Sequence, residues 1–101
     1  MTCIFEAHGY RTIRQNLGMI SGYVHSLGHG FGLDIHEPPG MGMKGMRAGE
    51  RLMPGTIVTN EPGLYYPDKG WGIRVEDDYW CNADSQFECL TGFDRGLIVA
   101  M

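Results

Sequence analysis

Hydrophobic positions along this chain come in short bursts separated by glycine and proline, and long periodic stretches are missing. Cys3 to Ala7 read as the last turns of a helix that Gly9 stops, since glycine suits the left-handed position beyond a helix end. With Met1 so close, and no capping residue ahead of a full periodic face, that helix is expected to be truncated. Residues 10 to 22 are polar, carry Gly18 and Gly22, and read as a loop. Tyr23-Val24 leads as a short extended segment into His25-SLG-His29-GFGLDI-His36-Glu37. His25 and His29 are four apart, which on a helix would place both on one face. Glycines at 28, 30 and 32 argue against a helix. The run is therefore expected to be extended, with backbone drawn close to whatever sits in the site, until Pro38-Pro39-Gly40 ends it. Residues 40 to 51 form a flexible, Met-bearing connection.

The β signal then strengthens. Thr56-Ile57-Val58-Thr59 is a β-branched run closed by Pro62-Gly63, which puts Glu61 at a strand end. Leu64-Tyr65-Tyr66 continues to a turn at Pro67-Asp68-Lys69-Gly70. Ile73 to Cys81 reads as one long strand, Asn82 to Ser85 as a turn, Phe87 to Leu90 as its partner and Leu97 to Ala100 as a short apolar tail. There is no internal repeat and no linker. The expectation is one α+β unit over residues 1–101, a helical stub followed by mostly antiparallel strands.

Composition narrows the partners. The chain has 101 residues, 43% of them hydrophobic, and carries a formal charge of -4, which suits one small domain. No Lys/Arg run appears, so nucleic acid is not expected as a partner. Apolar stretches of a few residues cannot span a membrane. The N-terminus lacks the pattern of a signal peptide, so the expected location is cytoplasmic. Cys3, Cys81 and Cys89 form no CxxC pair and read as reduced core thiols, with Cys81 and Cys89 facing each other across a hairpin as the alternative.

Candidate chemistry lies in the histidine run and in two acidic strings, TNEPGLYY around Glu61 and GIRVEDD around Glu76. On a strand, Arg74 and Glu76 share one face while Ile73, Val75 and Asp77 point the other way, so a strand that buries Ile73 and Val75 offers Arg74 and Glu76 to a cleft. Each feature alone has a plainer reading: an exposed strand face, a carboxylate accepting turn amides, a hydrogen-bonded core histidine. Together, one imidazole and two carboxylates on stiff elements match the ligand types of Mn, Co or Zn sites. HExxH is excluded, because the position four after His36 is Gly40, and neither GxSxG nor a Walker loop is present.

The strings H-S-L-G-H-G-F-G-L-D-I-H-E-P-P, T-N-E-P-G-L-Y and G-I-R-V-E-D-D, with a closing E-C-L-T-G-F-D-R-G-L-I-V, resemble the C-terminal motifs of the pita-bread metallopeptidases. That family comprises Xaa-Pro aminopeptidases and prolidases, with creatinase and methionine aminopeptidase as relatives. R-V-E-D-D leans towards the Xaa-Pro branch. The resemblance implies the C-terminal half of a pita-bread fold, a curved, mostly antiparallel sheet. It implies a dinuclear centre of Mn or Co, with Zn as the other option, bound by His29, Glu61 and Glu76. His25, His36 and Arg74 would line the substrate side, and Glu61 would handle the proton in hydrolysis of a peptide bond next to proline.

One departure stands out. The family's site also uses two aspartates on strands that precede the histidine motif, whereas the only acid upstream of His29 here is Glu6. The chain is thus expected to be a C-terminal fragment with half its ligand set, binding metal weakly and inactive alone. Its expected partners are a proline-containing peptide and the missing N-terminal half of the catalytic domain. An exposed sheet edge and apolar face would favour self-association, and a homo-oligomer is conceivable. The alternatives are a non-catalytic peptide- or protein-binding module on the same scaffold and a creatinase-like amidinohydrolase.

Overall fold

The computed structural model describes residues 1–42 and 51–96. The chain opens with a short helix α1 (Thr2–Ala7), which has no side-chain cap and ends before Gly9 at φ 81°. Seven strands follow: β1 (His29–Gly30), β2 (Glu37–Gly40), β3 (Ile57–Asn60), β4 (Gly63–Tyr66), β5 (Trp71–Arg74), β6 (Asp77–Cys81) and β7 (Phe87–Cys89). Five form one sheet in the order β2-β1-β3-β6-β7, and β4 and β5 form a separate hairpin. Every ladder between these strands is antiparallel. The fold is α+β, mostly antiparallel sheet with little helix, as expected. No helix among the described residues is long and apolar enough to cross a membrane.

Local chemistry accounts for the elements. Ile57 and Val58 supply the stiff β-branched surface of the central strand β3. Pro67 starts the single 3-10 turn between β4 and β5, and Gly70 closes it at φ 70°, a conformation that costs glycine little. Ser21 and Gly22 hand the polar loop to the hairpin: Gly22 and Tyr65 exchange backbone hydrogen bonds of 2.6 and 3.0 Å.

Several expectations need correction. Pro38-Pro39-Gly40 does not end the histidine segment; it forms β2, which pairs with β1 through His29↔Gly40 and Gly30↔Glu37. Proline is tolerated there because β2 lies at the sheet edge, where one side of the backbone needs no ladder partner. The expected strand from Ile73 to Cys81 is broken into β5 and β6, which belong to different sheets. Backbone pairing to β4 ends at Arg74, and pairing to β3 begins at Asp77. Ile73 and Val75 are each 43% exposed and form no packed face. Cys81 pairs in register with Phe87 and Cys89 with Tyr79, so the two cysteines do not face each other. All three thiols are free, and only Cys81 is buried. The Met-bearing connection falls largely at 43–50, and the apolar tail begins at Leu97; both lie outside the described residues.

The core is thin. Among the described residues, the buried hydrophobic side chains are Tyr23, Val58, Leu64 and Cys81, while Leu33, Ile35 and Phe93 are almost fully exposed. The radius of gyration is 15.1 Å, against about 13 Å for a compact chain of 100 residues. Apolar surface is left open, as the sequence led us to expect.

Candidate metal centre

The central strands converge on an open cleft of about 350 Å³ lined by His29, His36, Thr59, Glu61, Arg74 and Glu76, with Phe31, Ile35 and Asp78 at its walls. His29 comes from β1, Thr59 from β3, and Glu61 follows β3 directly. Arg74 ends β5, and Glu76 sits in the connection to β6.

At one end the donors are tightly held. Glu61 is buried, and a buried anion is costly unless it is paired and hydrogen-bonded. Its backbone N–H donates to the Leu27 carbonyl at 2.8 Å. The Thr59 hydroxyl donates to Glu61 Oε1 at 3.0 Å. The same hydroxyl accepts the His29 backbone N–H at 3.0 Å. One oxygen thus fixes the imidazole-bearing strand and the carboxylate relative to each other. Gly28 makes the approach possible: a Cβ there would collide with the Thr59 carbonyl and lie 2.8 Å from its hydroxyl. The glycine spacing suggested backbone drawn close to whatever sits in the site; at Gly28 the close neighbour is the backbone of Thr59 on β3.

The two ring nitrogens of His29 have different neighbours. Its Nδ1 lies 2.9 Å from the Gly30 carbonyl, which can only accept, so Nδ1 carries the proton. Nε2 then faces Glu61 Oε1 at 3.1 Å. A lone pair and a carboxylate oxygen at that distance need a proton or a cation between them. Two ligands about 2.1 Å from one octahedral ion stand about 3.0 Å apart, a spacing close to that of this pair. A backbone carbonyl on the other ring nitrogen is the usual way a metal-binding histidine is held.

At the other end the geometry is loose. Arg74 Nη1 lies 3.5 Å from Glu61 Oε2, and its Nε lies 3.9 Å from Glu76 Oε2. The Arg74 and Glu76 side chains are 50% and 42% exposed, so water screens both contacts. The guanidinium supplies positive charge to both carboxylates, which is the charge a bound cation would bring. Among the described residues, no group of three or more His, Cys, Asp or Glu side chains is arranged to hold a metal ion. His29 and Glu61 reach donor distance; Glu76 shares their cleft without converging on them.

His36 joins the site, its ring centroid 4.2 Å from that of His29. His25 does not line the cleft. Its Nδ1 lies 2.7 Å from the Ser26 carbonyl, and its Nε2 faces the Tyr65 hydroxyl at 2.9 Å. Tyr65, Thr59 and Asp78 were not singled out from the sequence. The available signal for Thr59 was its place two residues before Glu61, which sets both on one strand face. Nearby, burial pushes the Tyr23 phenol up to about 12, with the Glu61 charge adding to the effect.

The model for metallopeptidase family M24 matches residues 4–83. A putative dipeptidase, YkvY, of Bacillus subtilis is 37% identical over 88% of this chain and 23% of its own length. The Xaa-Pro dipeptidase of Pyrococcus furiosus is 42% identical over 66% of the chain and 18% of its own length. Among solved structures, recombinant prolidase from Thermococcus sibiricus superposes with a TM-score of 0.72 at 32% identity, over 94% of this chain and 22% of the prolidase. The chain therefore spans less than a quarter of the length of each of these relatives. Its mostly antiparallel sheet is the pita-bread arrangement that the motifs implied.

Proposed function

The chain belongs to metallopeptidase family M24, and on that premise we propose that it is the C-terminal part of a dinuclear-metal-dependent Xaa-Pro exopeptidase. Its substrate is a peptide whose scissile bond adjoins proline. The observation that carries this reading is the 3.1 Å approach of His29 Nε2 to Glu61 Oε1, with Nδ1 committed to a backbone carbonyl. That arrangement suits a cation bridging the two groups, in the place a proton would otherwise have to fill.

His29 and Glu61 would hold one side of the centre, and Glu76 would close on it from the Arg74 corner. Two divalent ions held there, Mn or Co, would supply Lewis acidity and a water activated near neutral pH. Thr59 and His29 occupy Glu61 Oε1. Oε2, which among the described residues has only Arg74 nearby, at 3.5 Å, is the oxygen able to take a proton and return it to the leaving amine. His36 presents its ring beside His29 to stabilise charge growing on the scissile carbonyl. Arg74, at the cleft wall, orients the substrate.

One imidazole and two carboxylates leave most positions around two cations to water. The remaining carboxylates come from polypeptide upstream of the histidine motif, and without it the chain binds metal weakly and does not turn over. The test is manganese uptake by calorimetry, with and without a polypeptide supplying two aspartate-bearing strands, together with cleavage of an Xaa-Pro dipeptide. Complementation should restore both, and His29→Ala should abolish both. Tight uptake of two ions by the chain alone would overturn the half-site, and undiminished uptake by His29→Ala would overturn the site itself.

A further inference from the structure

Glu76 hangs between two ladders. β5 is paired to β4 as far as Arg74↔Gly63, and β6 is paired to β3 from Asp77↔Asn60. Between them, the connection is tied by one long backbone bond, from the Val75 N–H to the Pro62 carbonyl at 3.4 Å. What anchors its two ends therefore decides where Glu76 stands.

The Asp77 end is anchored from the reverse face of the sheet. Asp78, paired with Thr59, lines the cleft, so Asp77 points the other way and is 7% exposed. There the Thr91 hydroxyl donates to Asp77 Oδ1 at 2.7 Å, and Arg95 Nη2 reaches Oδ2 at 2.7 Å. The Asp77 carboxylate in turn raises the Arg95 guanidinium above its ordinary value. Thr91 also accepts the Asp78 N–H at 3.3 Å, and the Leu90 N–H donates to the Asp78 carbonyl at 2.8 Å. Charge-assisted bonds of this length, one to each carboxylate oxygen, leave Asp77 little freedom.

We infer that Thr91 and Arg95 are positioning residues for the metal centre: by clamping Asp77 on the back of the sheet, they set the approach of Glu76 to the cation on the front. The inference rests on the reading of Glu76 as a metal ligand. It gives the segment after β7 a task in the chemistry, although none of its described residues lines the cleft. It also separates the two acidic neighbours of the E-D-D string by role: Glu76 binds, and Asp77 holds.

The test is a double-substitution cycle on the full chain with manganous ion alone as the probe, its affinity read from water proton relaxation. Thr91→Val should weaken binding about tenfold, the low end for losing a partner that orients a ligand. Thr91→Ser, which keeps the hydroxyl, should restore affinity to within about twofold on the same basis. In a Glu76→Gln background, Thr91→Val should have no further effect, since the clamp then has no ligand to place. Multiplying effects of Thr91→Val and Glu76→Gln would overturn the inference by assigning Thr91 a general structural role. Wild-type affinity in Glu76→Gln would instead remove the metal reading, and this inference with it. Arg95→Gln, at a half-exposed position, carries the same cycle if Thr91→Val does not fold.

Discussion

The two ends of the cleft are built differently. At the His29–Glu61 end, the side chains are 20% and 11% exposed and stand 3.1 Å apart, and a shared hydroxyl joins the elements that carry them. At the Arg74–Glu76 end the closest contact between the pair is 3.9 Å, and both side chains are about half exposed. The first end is embedded in a five-stranded sheet; the second lies where the chain leaves a two-stranded hairpin. Precise placement of a polar group takes a packed frame; this chain supplies it around both donors of the first end, but at the second only behind Glu76, where Asp77 is held from the reverse face, while the Glu76 side chain itself is left half exposed. The contrast explains why two donors converge and the third does not.

The sharpest way to break the ordered end is Gly28→Ala. The added methyl meets the backbone of Thr59, which cannot rotate away, and overpacking of this kind costs up to about 3 kcal/mol. The loss should appear as a lower urea midpoint. Val58→Ala, in the core of the same sheet, should cost about 2 kcal/mol, whereas Ile73→Ala on the hairpin should stay within about 0.5 kcal/mol. Equal losses at the two positions would erase the contrast. Thr59→Val removes the shared hydroxyl and strands the His29 N–H, at about 1–2 kcal/mol. Thr59→Ser should recover most of that loss in the same unfolding titration.

The smallest effect concerns pH. Tyr23 is buried beside the ordered end, and its phenol is pushed from 10.0 up to about 12. A raised value in the folded chain means that its contribution to stability is complete below pH 10 and declines as pH rises towards 12. An ultraviolet titration of the folded chain should show a tyrosine phase near pH 12, and that phase should vanish in Tyr23→Phe.

Much of the site was legible before any coordinates. The β-branched run before Glu61, the glycines around His29 and the three spaced motifs give a strand end, a close approach and a family. What could not be read was the break at Val75–Glu76. Alternation of polar and apolar residues there looks like one continuous strand, and only the switch of partners, from β4 to β3, ends it. Thr59 escaped notice for a related reason: a threonine inside a β-branched run reads as strand former, and its hydroxyl gains meaning only when His29 arrives from thirty residues away.

The sequence by itself determined which groups are available and the local backbone that carries them, because turn chemistry, β-propensity and ligand type are properties of neighbouring residues. Tertiary structure alone decided which of those groups meet. Pairing between β1 and β3 brings His29 to Glu61, and the tail after β7 reaches behind Asp77, since contacts between distant segments depend on sheet order and register, and no local pattern records them.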